Sequence, residues 1–340
     1  MSGTSLDGLD VALCHFNIDE SWEFQIEFSK TFSYDEYLRT KLSKSHNFHI
    51  AELMNLEEEL TNFHAKCINH FINANSISRT HIDAIASHGH TILHQPENGF
   101  TLQIIKGSSL SQKTGINTIS DFRSSDIALG GQGAPLVPIG DEFLFKDFNS
   151  CLNLGGIANG SYKKNGKRVA FDICFANMLN NKICNNMGYE FDRGGALAKS
   201  GRMIPDLLAE LDNMAFLHNS GPKSIGIETF ESICLPILNK YDNNIDALHT
   251  VGWHITSQIA KNLKGSILVT GGGTHNDFWM ELLGKHDHLE IIKPNATIID
   301  FKEALVFAFL GARYLRDEHN CLASVTGASR NSIGGCLYKA

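Results

Sequence analysis

No stretch of the 340 residues approaches the roughly 20 apolar residues needed to span a bilayer. Met1-Ser2-Gly3-Thr4 likewise opens neither a charged nor an apolar leader, so neither a membrane partner nor a secretory route is expected. Neither a Walker A motif nor GxGxxG occurs, which excludes a P-loop and a Rossmann-type dinucleotide site. The eight cysteines (Cys14, Cys67, Cys151, Cys174, Cys184, Cys234, Cys321 and Cys336) show no CxxC or paired spacing and read as reduced thiols of a cytoplasmic protein. Positive charge is in deficit: 29 Lys and Arg against 37 Asp and Glu give a net charge of -8. A nucleic-acid partner would need a basic face, so none is expected, although a local basic pocket for one anion is still allowed.

What is present is ordinary globular material, with 42% hydrophobic and 19% charged residues. The length exceeds what one core usually serves, so two domains are expected. Val11–Phe16 reads as a strand, and Trp22, Phe24, Ile26 and Phe28 alternate with polar residues as its antiparallel neighbour would. Leu53, Leu56, Leu60, Phe63, Cys67, Ile68 and Phe71 recur at helical spacing, which predicts a helix over Ile50–Asn75. Short strands are expected at Ile82–Ser87 and Asn117–Ser120. A second round follows: a strand at Cys151–Leu154, then a hairpin around Asn165-Gly166, a strand at Ser266–Thr270, and helices at Asp277–Leu283 and Lys302–Arg316. Strands first and then alternating helix and strand, twice over, indicate a duplicated α/β architecture. No low-complexity linker divides the halves, and the boundary near Gly140–Ser150 is soft.

Three glycine-rich segments could bring backbone N–H groups against phosphates. Gly3-Thr4-Ser5-Leu6-Asp7-Gly8-Leu9-Asp10 combines glycines, hydroxyls and two carboxylates. Gly155-Gly156 follows a strand. Gly271-Gly272-Gly273 sits at a strand-to-helix turn, where helix amides favour anions. Each alone is more often a tight turn, since glycine supplies φ > 0 at no steric cost. Three of them fit a nucleotide held between two domains. His88-x-His90-x3-His94 could ligate zinc, but no nearby Cys or paired carboxylate completes the set.

The decapeptide Met-Ser-Gly-Thr-Ser-Leu-Asp-Gly-Leu-Asp at 1–10 resembles the opening of the anhydro-N-acetylmuramic acid kinases. The resemblance continues through Ser87-His88-Gly89-His90-Thr91, Phe100–Ile104, Asp121-Phe122-Arg123 and the block Gly130-Gly131-Gln132-Gly133-Ala134-Pro135-Leu136-Val137-Pro138. It resumes at Asn153–Asn159, Phe171-Asp172, Pro222-Lys223-Ser224, Thr270–Asn276, Glu303-Ala304 and Val325–Ala328. These blocks run in order along the whole chain.

The resemblance implies a duplicated ribonuclease-H-like (actin-like ATPase) fold with two domains around an interdomain cleft. About residues 1–140 with about 318–340 would form domain I, and about 141–317 domain II. It implies an ATP-dependent kinase that opens 1,6-anhydro-N-acetylmuramic acid with water and phosphorylates O6, giving N-acetylmuramic acid 6-phosphate in cell-wall recycling. ATP and Mg²⁺ would be used, and a homodimer is the family-level expectation. Asp172 would be the general base. ATP would lie against Gly3, Thr4, Ser5, Leu6, Asp7, Gly8, Leu9 and Asp10, with Gly155, Gly156, Gly271, Gly272 and Gly273, and Asp7 and Asp10 would stand near Mg²⁺. His88, Arg123 and Glu303 would contact the sugar. Taken without the resemblance, Asp172 reads equally well as a helix cap.

Four departures accompany the match, one being that relatives often have His soon after the Pro-Leu-Val-Pro block, where this chain has Ile139-Gly140-Asp141-Glu142. Relatives commonly carry Gln where this chain has His90. They continue Thr-Gly-Pro-x-Asn after the base, where this chain has Ile173-Cys174-Phe175-Ala176-Asn177. They also run an apolar strand into the first block, whereas this chain begins at its Met, so the first strand is expected to be missing. Either the true start lies upstream or the nucleotide site is weakened. A non-catalytic sugar-binding relative and a kinase of another amino sugar are the competing readings.

Overall fold

A computed structural model describes residues 1–3, 6–218 and 225–340. The chain divides into two units, Met1–Leu144 with Phe301–Ala340, and Phe145–Asp300.

In the first unit β1 (Gly8–Ile18) and β2 (Trp22–Ser33) form an antiparallel hairpin. Phe16 and Trp22 pack on Phe309, with ring centroids 5.3 and 5.0 Å away. The Ile50–Ala74 helix follows the predicted stripe and buries Leu56, Leu60, Ile68 and Phe71. The strand expected over Ile82–Ser87 is reduced to β3 (Ile85–Ala86), because the Ile82 N–H instead closes a 3₁₀ turn on Arg79 O at 3.2 Å. β4 (His90–Gln95) and β5 (Phe100–Ile104) form a second hairpin. β6 (Thr118–Ser120) pairs parallel with β3 on one side. On its other side it pairs antiparallel with Cys336–Tyr338, the strand labelled β12.

The second unit holds β7 (Ser150–Leu154), β8 (Ile157–Lys164), β9 (Lys167–Phe175), β10 (Gly265–Thr270) and β11 (Leu289–Ile292). Their order is β11-β10-β7-β8-β9. β8 runs antiparallel to its neighbours while β7, β10 and β11 run parallel, the ribonuclease-H-like arrangement. Asn165 and Gly166, at φ 52° and 76°, make the predicted two-residue turn between β8 and β9. The core gathers Leu152, Leu154, Ile173, Phe175, Val251, Ile255, Val269 and Trp279.

Met1 and Ser2 pair back onto the start of β1. Met1 N–H donates to Asp10 O at 2.7 Å, Asp10 N–H donates to Met1 O at 2.9 Å, and Ser2 bridges Leu9. The first unit's strands fall into separate sheets, with β1–β2 apart from β12–β6–β3 and from β4–β5.

The helix expected from Lys302 begins earlier, at Ala296 and ends at Leu315. Asn295 Oδ1 accepts from the Ile298 N–H at 2.9 Å and caps it. From Phe301 onward this helix belongs to the first unit, where Phe307, Phe309 and Leu310 join the core of Ile119 and Phe122. The expected border near 317 therefore falls instead at Asp300/Phe301. Among the described residues no helix is long and apolar enough to cross a membrane.

Two expectations follow from the cores. Phe175 is fully buried and edge-on to Phe216 and Phe230, with centroids at 5.5 and 5.4 Å. Phe175→Ala should cost about 3–5 kcal/mol in urea unfolding; a loss under about 1 kcal/mol would show that the site collapses around the change. Burial also holds the His64 pKa down to about 3 and that of His90 to about 4. An unfolded imidazole titrates near about 6.5, so between these limits the unfolded chain binds more protons. Stability from these groups is complete above about pH 6.5 and is lost as pH falls toward 4. Melting curves over that range should slope downward, and His90→Gln should shallow the slope.

Candidate active site

Parallel pairing sets Thr270 beside Asn153 and Val269 beside Leu152, so the turns after β7 and β10 leave the same end of the sheet. Such carboxyl ends are where open α/β sheets bind ligands. A side chain at Gly271, whose φ is 83°, would put a Cβ 2.5 Å from Asn153 Oδ1 and 3.0 Å from Leu154 O. At Gly273 a Cβ would stand 2.7 Å from Leu154 Cβ. The Gly271–Gly273 turn therefore rests directly on the end of β7. Gly272 is exposed with nothing within 4 Å of its Cβ position, which leaves its backbone open to a ligand. Gly155 is half-buried and Gly156 exposed. Gly156 O accepts from Ala176 and Met178 N–H at 2.8 and 3.1 Å, and Gly155 O from Asn177 N–H at 3.1 Å. These bonds tie the turn to the start of the Asn177–Asn186 helix.

Asp172 lies within β9 in the same cross-strand row: Thr270 pairs with Asn153, Asn153 with Asn159, and Asn159 with Asp172. Directly paired residues share a face of a sheet, so the Asp172 carboxylate is on the face of Asn153, about 10 Å away at the usual strand spacing. A bulge between Ala158 and Asn159 sets this register. Asp172 is half-buried, and its Oδ2 accepts the Ile225 N–H at 3.0 Å. It does not cap the next helix, which starts after Ala176 without a side-chain cap. Ile173, Cys174, Phe175 and Ala176, the stretch that departs from the Gly-Pro turn of the resemblance, are fully buried, and β9 continues to Phe175. Strand-forming residues thus hold Asp172 where a turn was expected to do so.

The first unit carries the remaining candidates. Leu6 has φ 59° and its N–H reaches Gly3 O at 3.4 Å, Asp7 is exposed, and Asp7 O accepts the Tyr34 N–H at 3.3 Å. Thr4 and Ser5 lie outside the described residues, as do Pro222, Lys223 and Ser224. Gly8 is a packing glycine, since a Cβ there would meet Phe32 O at 2.5 Å, and Leu9 is buried in the core. Asp10 Oδ1 accepts Thr31 Oγ1–H at 2.6 Å. Ser2 Oγ bonds His90 Nδ1 at 3.0 Å and accepts the Tyr34 hydroxyl at 2.7 Å, anchoring the entry to this loop.

Glu303 opens to solvent but is hemmed in by protein, and desolvation, followed by the Asp10 charge, raises its pKa. The neighbouring Lys302 is buried in an ion pair with Asp141 at 2.7 Å, which fixes that turn of the helix. Arg123 is half-buried and desolvation lowers its pKa to about 10, with Glu303 acting in the opposite direction. His88 is buried, and both of its ring nitrogens meet protein partners, Gly89 O at 3.0 Å and Arg123 at 2.8 and 3.0 Å. His94 bonds Thr101. The three histidines thus have separate partners, and no group of three metal-ligating side chains occurs among the described residues.

Sequence reasoning assigned no role to Asn153 and Asn159, which carry the row to Asp172, or to Asp126, buried beneath the Gly130–Gly133 loop. The asparagines stand inside a quoted block, and only their place in it marks them. Asp126 has no local signature at all.

A family model described as anhydro-N-acetylmuramic acid kinase matches residues 1–340. Relatives of that name are similar over the full length. The one from Sulfurimonas denitrificans is 32% identical, with 100% of this chain and 98% of the relative covered. Those from Shewanella pealeana and Hahella chejuensis are 33% and 34% identical, each with 100% of this chain and 97% of the relative covered. With that family model matched over the whole chain and relatives above 30% identity covered almost end to end, this chain belongs to the anhydro-N-acetylmuramic acid kinase family.

Proposed function

We propose that this chain is an ATP-dependent kinase that converts 1,6-anhydro-N-acetylmuramic acid, water and ATP to N-acetylmuramic acid 6-phosphate and ADP, with Asp172 as the base. The observation that carries the assignment of the base is the row from Thr270 through Asn153 and Asn159 to Asp172, which sets this carboxylate on the same sheet face as the ends of the glycine turns. Asp172 takes a proton from water as its oxygen attacks the anomeric carbon. The bond from that carbon to the bridging oxygen breaks, and the oxygen stays on C6 and accepts the γ-phosphoryl group as ADP leaves. The glycine turns receive phosphate oxygens on backbone N–H groups, and binding in a fixed geometry supplies much of the rate in phosphoryl transfer.

Arg123 suits the substrate's lactyl carboxylate, because a guanidinium matches a carboxylate in a planar fork. Glu303 suits hydroxyl or amide donors of the sugar. Asp7 and Asp10 fit Mg²⁺, which favours hard oxygen ligands from one or two carboxylates together with phosphates and water. Bound there, the ion would offset phosphate charge. A homodimer and a cytoplasmic location belong to the same reading, the latter supported by eight free cysteines.

A coupled ADP-release assay with 1,6-anhydro-N-acetylmuramic acid and a panel of other amino sugars tests the function. Sugar-dependent release should be strongest with the anhydro sugar, and none above the ATP-only rate would sink the reading. Asp172→Asn should fold and bind ATP as the parent does while kcat falls by about 10²–10⁴. A variant that keeps near-parental kcat would leave Asp172 with a structural role alone.

A further inference from the structure

Three of the five guanidinium donors of Arg123 are committed within the protein. Nε–H and one Nη2–H donate to His88 Nε2 at 3.0 and 2.8 Å, and one Nη1–H donates to Gly133 O at 2.7 Å. Among the described residues, one donor is left on each terminal nitrogen, and a carboxylate can accept from both. Among the described residues no carboxylate comes within the 4.0 Å of an ion pair with Arg123, although the residue is largely desolvated. A desolvated charge without a counter-ion is costly unless a ligand supplies one.

The partners of Arg123 are themselves held. His88 Nδ1 faces Gly89 O at 3.0 Å, which can only accept, so Nδ1 carries the hydrogen and Nε2 is the bare acceptor that Arg123 requires. Burial, followed by the Arg123 charge, holds the His88 pKa well down and keeps the ring neutral. The ring packs on Phe307 with centroids 4.7 Å apart, and Phe307 lies one helical turn beyond Glu303 on the same face. Gly89 has φ 73°, and a Cβ there would meet Ile104 O at 2.7 Å, so the carbonyl that orients His88 depends on glycine. Gly133 is fixed through its N–H, which donates to Asp126 Oδ2 at 2.8 Å. Asp126 is fully buried, and its Oδ1 accepts Thr326 Oγ1–H at 2.8 Å and faces Cys321 Sγ at 3.1 Å.

We infer that His88 is a positioning residue: its neutral Nε2, together with the Asp126-held carbonyl of Gly133, aims the free edge of Arg123 at the carboxylate of the sugar, and His88 itself touches no substrate. This rests on the functional reading above and departs from the direct sugar contact that the family resemblance implied for His88.

A double-mutant cycle tests it, read as sugar affinity by calorimetry alongside KM and kcat. His88→Leu removes the acceptor at similar size and should weaken sugar binding at least about tenfold, leave the KM for ATP unchanged and spare most of kcat; a tenfold change corresponds to about 1.4 kcal/mol. His88→Gln, whose Oε1 can accept in place of Nε2, should restore most of the loss. In an Arg123→Lys background, which lacks the fork, His88→Leu should add little. Fully additive costs, or His88→Gln as poor as His88→Leu, would overturn the positioning role in favour of direct contact. If His88→Leu does not fold, His88→Asn, too short to reach Arg123, carries the same comparison. Absence of sugar-dependent ADP release in a wild-type chain that binds the sugar would count against the kinase reading alone. A wild-type chain that binds no sugar overturns both.

Discussion

The parallel pairing of β7 with β10 is the constraint on which the second unit's chemistry depends. Parallel neighbours end on the same side, so two turns more than a hundred residues apart in sequence are brought together by backbone hydrogen bonds before any side chain is considered. Register does the rest. A slip of one residue would send Thr270, Asn153, Asn159 and Asp172 to the opposite face. The glycines follow from the same closeness, because a Cβ at Gly271 or Gly273 would overlap the end of β7.

A different economy governs the first unit. Arg123 and Glu303 are each shifted toward their neutral forms, and in both the leading cause is desolvation, with their mutual attraction acting against it. Attraction between these two charges does not make up for the water they have lost. Such groups gain most from a ligand that brings its own complementary charge or hydrogen bonds, and His88 and Gly133 hold the arginine so that little ordering is left for binding to impose. Buried histidines held toward their neutral form recur here, at His64, His88 and His90, because burial disfavours the charged imidazolium.

Much of this was legible before the fold was known, where the signal was local. The Ile50–Ala74 helix announces itself by its stripe, and the β8–β9 hairpin by Asn165-Gly166. The start of the Ala296–Leu315 helix was misplaced because its cap, Asn295, precedes a stretch with weak amphipathic contrast. Ile173–Ala176 stood out as a departure beside Asp172, and Ile173–Phe175 prolong β9 into the core of Phe216 and Phe230. Reading them as a lost turn considered the missing glycine and proline and overlooked the apolar volume that replaced them.

By itself the sequence determined the elements, the order of the glycine turns and the family, since strand period, helical stripe and turn residues act over a few neighbours and the quoted blocks run along the whole chain. Only the tertiary structure decided that Asp172 shares a row with Thr270, that His88 Nε2 is spent on Arg123, and that Asp126 supports Gly133 from beneath. Those relations join residues whose separation along the chain is unrelated to their distance in space. They come from strand register and close packing, neither of which leaves a mark on a residue's immediate neighbours.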